Sequence, residues 1–491
     1  MRLLTLLLVL CVCANVPALA GPLEDLEAAG DAAKRNDYAT ALGLWRPLAE
    51  QGDALAQFGL GTLYEHGKGV PQDYATAASW FRKAADQGMA EAQNSLGAMY
   101  ESGQGVPQNY AEAVSWYRKA ADQGQIVAQL NLGSMYMGDR GVPQDYAAAA
   151  SWFRKAADQG FAGAQYILGV LYGNGQGVPQ DYAMAVAWFR KAADQDNALA
   201  QLNLGAMYMG GHGVLQDYAA AASWFRRAAD QGNAQAQYNL GIMYAAGKAV
   251  PQDYAEAASW FRKAADQGFA GAQYNLGVLY DNGQGVPQDY AMAVAWFRRA
   301  ADQGNAQAQY NLGMMHAAGV GVPQDYAAAV SWLRKAADRG TALAQYNLGT
   351  MYADGKGVPQ DYAMAVEWYR KAAEQGYSLA KAGLGMMYYY GWGVPQDYAA
   401  AASWARKAAD QGDSYGQSWL GFMYEQGHGV PQDYVQAHMW YNLAASRYKA
   451  SEKEKRNLAY TNRDMVAAKM TPAQIAEAQK LASEWKPKPE P

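Results

Sequence analysis

Five histidines, His66, His212, His316, His428 and His438, are what a metal site or a general base would have to be built from. A zinc-binding helix sets two histidines four residues apart so that both project from one face, and no two of these histidines have that spacing. Ser446-Arg447-Tyr448-Lys449 has the Ser-x-x-Lys spacing of an acyl-transfer nucleophile and its base, but Ser-Asp-Asn and Lys-Thr-Gly, the companion motifs, are absent. Gly-x-Gly recurs along the chain, yet it lacks the third glycine and the Gly-Lys-Ser/Thr that would cradle phosphates, so it reads as a turn. The only cysteines are Cys11 and Cys13. The residues that could do chemistry therefore point to no catalysis, no metal and no cofactor.

The turns themselves belong to a repeat. Residues 90–124 read AEAQNSLGAMYESGQGVPQNYAEAVSWYRKAADQG, and the tetrad Pro-Gln-Asp-Tyr, or a one-residue variant, begins at Pro71 and returns every 36 residues until Pro431. A strict period of this length marks a solenoid, whose units bury their apolar faces only by stacking. Each unit has the periodicity of two helices. Ala92, Leu96, Met99 and Tyr100 mark the first, and Gly103 stands where a left-handed cap would end it. Gly105-Val106-Pro107 enforces the turn, Asn109 (Asp in most units) is placed to N-cap the second helix, and Tyr110, Ala113, Trp116, Tyr117, Ala120 and Ala121 form its broad apolar face.

Gly97 sits in the middle of the first helix at a cost of about 1 kcal/mol relative to Ala, yet all eleven units keep glycine there, from Gly61 to Gly421. Close approach of the Trp-aromatic pair of a second helix would explain it. Eleven of the fifteen Trp residues share one register, from Trp80 to Trp440, and read as core. Arg82 and Asp86, four apart, are expected to pair along the second helix.

The motif AQ-x-x-LG-x-MY-x-x-G-x-GVPQDY-x-x-A-x-x-W-x-RKAA-x-QG resembles the Sel1-like repeat, a relative of the tetratricopeptide repeat, over residues 54–448. Its departures are Leu215 for Pro, Asp196 for the capping Gly, Ala249 for the loop Gly and His316 for Tyr. The resemblance implies an all-α fold, an α/α superhelical solenoid of eleven 36-residue units whose first helices line the concave face, and a role in holding proteins together.

Four regions follow. Residues 1–20 read as a secretory signal, with Arg2, an apolar run from Leu3 to Cys13 and Ala18-Leu19-Ala20 as a cleavage site; the protein is expected to be exported, periplasmic or secreted, and not transmembrane. Residues 21–53 read as an N-terminal helical cap, residues 54–448 as the array, and 449–491 as C-terminal capping helices and a tail. In the last region Ser451 and Glu454 have capping-box spacing, as do Thr471 and Gln474; Ile475, Ala478, Ala482 and Trp485 form a stripe, and Lys-Pro-Lys-Pro-Glu-Pro reads as a frayed end. The formal net charge of −5, which becomes −6 without Arg2, argues against a nucleic-acid partner. Two blocks, residues 143–214 and 251–322, are more alike than other units, as a three-unit duplication would leave them.

Between units, sequence varies most at the registers of Glu91, Asn94, Ala98 and Glu101, on one side of the first helix. Tyr238, Tyr274, Tyr310 and Tyr346 lie there, either offered to a guest or packed between neighbouring helices. The densest departure from the repeat is Tyr389, Tyr390, Trp392, Tyr415, Trp419 and Phe422, and two explanations stand. The cluster is a binding patch, or its rings fill the space left where Ala405 replaces an aromatic residue. The expected function is a non-catalytic adaptor of the bacterial envelope that binds protein or peptide partners. The alternatives are a carbohydrate- or peptidoglycan-binding module, with glycan as ligand, and an envelope hydrolase. A compact chain of this length would have a radius of gyration of about 23 Å; small-angle scattering of the exported form should give a clearly larger value, and 23 Å would refute the solenoid.

Overall fold

The computed structural model describes residues 20–488, so the leader expected at residues 1–20 lies, apart from Ala20, outside the described residues. Among them are 26 α-helices and no strand. Two helices, Ala20–Lys34 and Tyr38–Glu50, precede the array, and eleven two-helix units follow. The unit Ala90–Ser102 plus Tyr110–Asp122 shows why they form. Gly103 takes φ 75° and its N–H bonds the Met99 carbonyl, ending the first helix. The Asn109 side chain accepts from the N–H groups of Ala111 and Glu112 at 3.1 Å and starts the second. Chain contacts divide the molecule into two compact units, one through Ala236 and one from Gln237.

The helix glycines are explained by one contact. A β-carbon on Gly61, Gly97, Gly133, Gly169, Gly205, Gly241, Gly277, Gly349 or Gly421 would lie 2.5–3.1 Å from the ring of the residue that follows the register Trp, for example Phe225 opposite Gly205. The Trp of the pair takes no part. Leu333 replaces the ring opposite Gly313, and opposite Gly385, where Ala405 stands, the nearest atom is the Ala401 carbonyl oxygen at 3.3 Å.

The Trp register is less uniform than core. Trp116, Trp188, Trp260, Trp296, Trp368 and Trp440 are buried, whereas Trp80, Trp152, Trp224, Trp332 and Trp404 are half-buried. The residue four positions earlier decides which. Every buried indole has Glu, Met or Gln there (Glu112, Met184, Glu256, Met292, Met364, Gln436), long enough to reach over it as Glu256 does in accepting from the Trp260 N–H, while the half-buried ones have Thr76, Ala148, Ala220, Ala328 or Ala400, which are too short. The open side of the indole carries a cation three residues on, such as Lys83 at 3.8 Å from the Trp80 ring centroid.

Polar contacts then tie unit to unit. Arg82 does not pair with Asp86 as expected but donates to the Tyr100 phenol of the next unit, and Arg118, Arg154 and Arg190 repeat the bond to Tyr136, Tyr172 and Tyr208. Gln93 is buried, donates to the Ala85 carbonyl of the preceding unit at 3.1 Å, and accepts from Gln123 at 2.8 Å; Gln123 also reaches the Gly88 carbonyl. The Gln-to-Gln rung recurs wherever both glutamines are kept, adding a side-chain donor to a helix-end carbonyl that also accepts a backbone N–H, as the Ala85 carbonyl does from Gly88. Arg339 and Arg447 replace the donor, leaving Oε1 of Gln309 and Gln417 without a partner. Lys381 replaces the acceptor; burial, then Lys407, pushes its pKa down.

At the C-terminus, the helix expected near Ser451 begins instead at Lys453, after a 3-10 turn Ala450–Glu452, and no side-chain hydrogen bond caps it. Glu452, not Glu454, reaches back, accepting from the Lys449 N–H at 3.3 Å. Thr471 and Gln474 do form a capping box on the helix Pro472–Glu484. Leu481, Ala482 and Trp485 pack with Trp440, and the tail is anchored through Lys488, whose N–H bonds the Asp410 carbonyl at 2.8 Å, so it is not frayed up to that residue.

These contacts rank substitutions. Phe225→Ala should cost about 3–5 kcal/mol and Trp224→Ala less. Gly205→Ala should cost about 1–3 kcal/mol through overpacking, whereas Gly385→Ala should be near neutral or stabilising. Native-state amide exchange around each site checks the order; equal loss at Gly205 and Gly385 would refute the ring account.

Candidate functional site

No group of three His, Cys, Asp or Glu side chains among the described residues is placed to hold a metal ion. The Ser446 hydroxyl donates to the Leu443 carbonyl of its own helix at 2.7 Å, and Lys449 lies beyond that helix's end, so the Ser-x-x-Lys spacing assembles no nucleophile and base. No described helix is long and apolar enough to cross a membrane.

On the first helices the variable registers do face outward in part: Glu91 and Ala98 are exposed, Asn94 and Glu101 half-buried. The tyrosines at the Asn94 register are half-buried, and three of the four named above lie against the ring that covers the helix glycine. Tyr238 meets Phe261 at 5.9 Å between centroids, Tyr274 meets Phe297 at 5.8 Å, and Tyr346 meets Tyr369 at 5.5 Å. Tyr310, opposite Leu333, has no such ring contact and packs into the same core as Tyr346. Burial pushes the Tyr274 and Tyr310 phenols above their ordinary pKa, offset in part by Asn311 and Asn347. These tyrosines are thus mostly part of the packing, with a smaller part of each open to solvent.

The aromatic departure is one continuous cluster in two layers. Tyr389, Trp419 and Phe422 are half-buried and pack on the core that contains Ala405; Tyr389 lies 5.4 Å from Trp419 and 5.8 Å from Phe422. Tyr415 meets the edge of Trp419 at 6.4 Å and donates to Met386 Sδ at 2.8 Å. Outside them Tyr390 is 46 % exposed and Trp392 36 % exposed. Trp392 stacks on Tyr390 at 4.6 Å and on Tyr362 at 5.3 Å. Core packing and an outward surface therefore belong to different members of the same cluster, and none of the atoms nearest a β-carbon on Gly385 comes from Trp419 or Phe422.

Three members were not singled out from sequence: Tyr362, Tyr398 and His428. His428 stacks on Tyr398 at 4.7 Å, and its Nδ1 shares a hydrogen bond of 2.8 Å with the Tyr389 hydroxyl. Burial, then Tyr398 and Tyr390, pushes the Tyr389 phenol above its ordinary pKa. The signal for these partners was a constant offset. The middle residue of Gly-x-Gly lies over the tyrosine 30 positions earlier, as Lys68 over Tyr38, His212 by Tyr182, Trp392 on Tyr362 and His428 on Tyr398.

Comparison with known proteins follows the geometry. The family described as Sel1 repeat matches eleven consecutive spans, 54–89, 90–125, 126–161, 162–197, 198–233, 234–269, 270–305, 306–341, 342–377, 378–413 and 414–448. The chain is 40% identical to c5321, described as a protective antigen present in uropathogenic Escherichia coli strains displaying an SLR fold, with 90% of this chain and 94% of that one covered and a TM-score of 0.81. It is 38% identical to a Sel1 repeat protein from Oxalobacter formigenes over 67% of this chain and 93% of that one, with a TM-score of 0.54. No curated protein matches.

The two layers should separate in experiment. Phe422→Ala should cost about 2 kcal/mol or more and loosen residues 378–448, while Tyr390→Ser should change stability by no more than about 0.5 kcal/mol. Equal destabilisation by both would mean that the outer layer is structural too.

Proposed function

Because this chain belongs to the Sel1-repeat family, whose members are generally protein-interaction scaffolds, we propose that it is a non-catalytic adaptor of the cell envelope that holds protein partners along its first-helix face. The observation that carries the reading is the outer aromatic layer, Tyr390 and Trp392, with the half-buried tyrosines of the Asn94 register in other units. Large rings dominate protein interfaces because they offer contact area with little rotamer entropy to lose. Trp392 favours a protein over a glycan: its plane is already stacked with Tyr362 and Tyr390, whereas a sugar needs a free aromatic face. The leader motif at residues 1–20 supports export to the periplasm or beyond.

A photo-crosslinking residue at Tyr390 should form protein adducts in the envelope of intact cells, and one at the exposed Ser151 of a second helix should not. Replacing Tyr389, Trp392 and Trp419 together by Ser should abolish adducts at a third position, Tyr346, only if the partner spans both sites. Adducts equally abundant at Tyr390 and Ser151 would refute the face assignment, and recovery of the uncleaved leader in the cytosolic fraction would refute export.

A further inference from the structure

The unit at residues 306–341 departs from the repeat at three packing positions together. Elsewhere in its part of the chain the first helix ends in a tyrosine that accepts from an arginine of the preceding unit, as Tyr280 from Arg262, Tyr352 from Arg334 and Tyr424 from Arg406. Here the register holds His316, which is buried at 8 % exposure with neither ring nitrogen bonded. Arg298 is the arginine that would have met the tyrosine, and it stands beside the imidazole instead. At the other end of the same helix Arg339 replaces the donor glutamine and leaves the Gln309 oxygen without a partner. Between the two, Leu333 replaces the ring opposite Gly313.

We propose that this unit is an acid-opened joint, in which protonation of His316 frees the helix Ala306–Ala318 from the preceding helix Tyr290–Asp302. An imidazolium in this place would be a buried charge without a hydrogen-bond acceptor, next to another cation. The charged groups facing His316 are Arg298 on the preceding second helix and Asp325 in its own unit's loop, whose N–H bonds the His316 carbonyl at 2.9 Å. On the remaining sides Arg299 and Lys335 lie over Trp296 and Trp332, Arg334 is engaged by Tyr352, and Tyr280 and Tyr352 hold the equivalent places in the neighbouring units. Burial, then Arg298, lowers the His316 pKa below 6.5, and Asp325 offsets this only in part. A histidine whose pKa is lower folded than unfolded is neutral in the fold. Its contribution to stability is complete above about pH 6.5 and declines as pH falls through the window between the two pKa values.

Amide exchange on the full chain at pH 7.5 and 5.5, corrected for intrinsic rates, tests this. Opening of residues 306–318 should rise between the two pH values by up to about tenfold, the limit set by a free imidazole of pKa about 6.5 at pH 5.5, ahead of residues 270–282 and 342–354. His316→Tyr, which restores the register residue, should remove the pH response, and His316→Phe should remove it without adding the Arg298 bond. His438, another buried histidine with a lowered pKa, stays in both variants, so any acid response near residues 434–447 serves as an internal control. If residues 306–318 open no earlier than their neighbours, or if either variant keeps the acid response, the proposal fails. An NMR titration placing the His316 pKa at or above 6.5 would overturn it as well.

Discussion

The molecule rests on a ring placed where a β-carbon would otherwise be. A glycine in mid-helix loses about 1 kcal/mol of helix propensity against alanine, and a buried aromatic side chain brings several times that in contact area. The exchange works only if both partners keep register, which is why Gly205 and Phe225 or Gly277 and Phe297 recur as pairs. With the helices drawn together at this point, small residues suffice elsewhere. Ala221, Ala228 and Ala229 are buried on the second helix around Phe225 with no bulk of their own.

Close packing of helices brings polar side chains of adjacent units within reach of one another, and the glutamine rungs and Arg-Tyr bonds join them. Their regularity makes each exception interpretable. Arg447 has lost the rung to Gln417 but lies 4.4 Å from the Trp485 ring, so the position that ends the ladder serves the C-terminal helix instead. Arg339 has no such replacement partner, and its unit also carries His316 and Leu333. Uniform architecture and local individuality therefore come from the same registers.

The aromatic cluster at residues 389–428 follows the same logic. Ala405 removes the ring that normally lies against the helix glycine, and Trp419 and Phe422 pack on that core. Half-buried rings packed on the core support others that face out, Tyr390 through Tyr389 and Trp392 through Tyr362. A surface patch held by stacked neighbours has fewer rotamers to lose when a partner arrives, which suits a recognition surface.

Period, helix boundaries and turn chemistry were legible from residues alone, because caps and glycine turns such as Asp73, Gly103 and Pro107 act within a few positions of themselves. The capping box at Thr471 and Gln474 was legible for the same reason, whereas the one expected at Ser451 was not, since a 3-10 turn shifted the start of that helix to Lys453. What required the tertiary structure was every choice between two plausible partners in space. Arg82 selects Tyr100 over Asp86, and the residue after Trp rather than Trp itself meets the glycine. Such choices depend on distances between helices that spacing along one helix does not contain, and so the sequence by itself determined the units while only their packing decided which faces were left over.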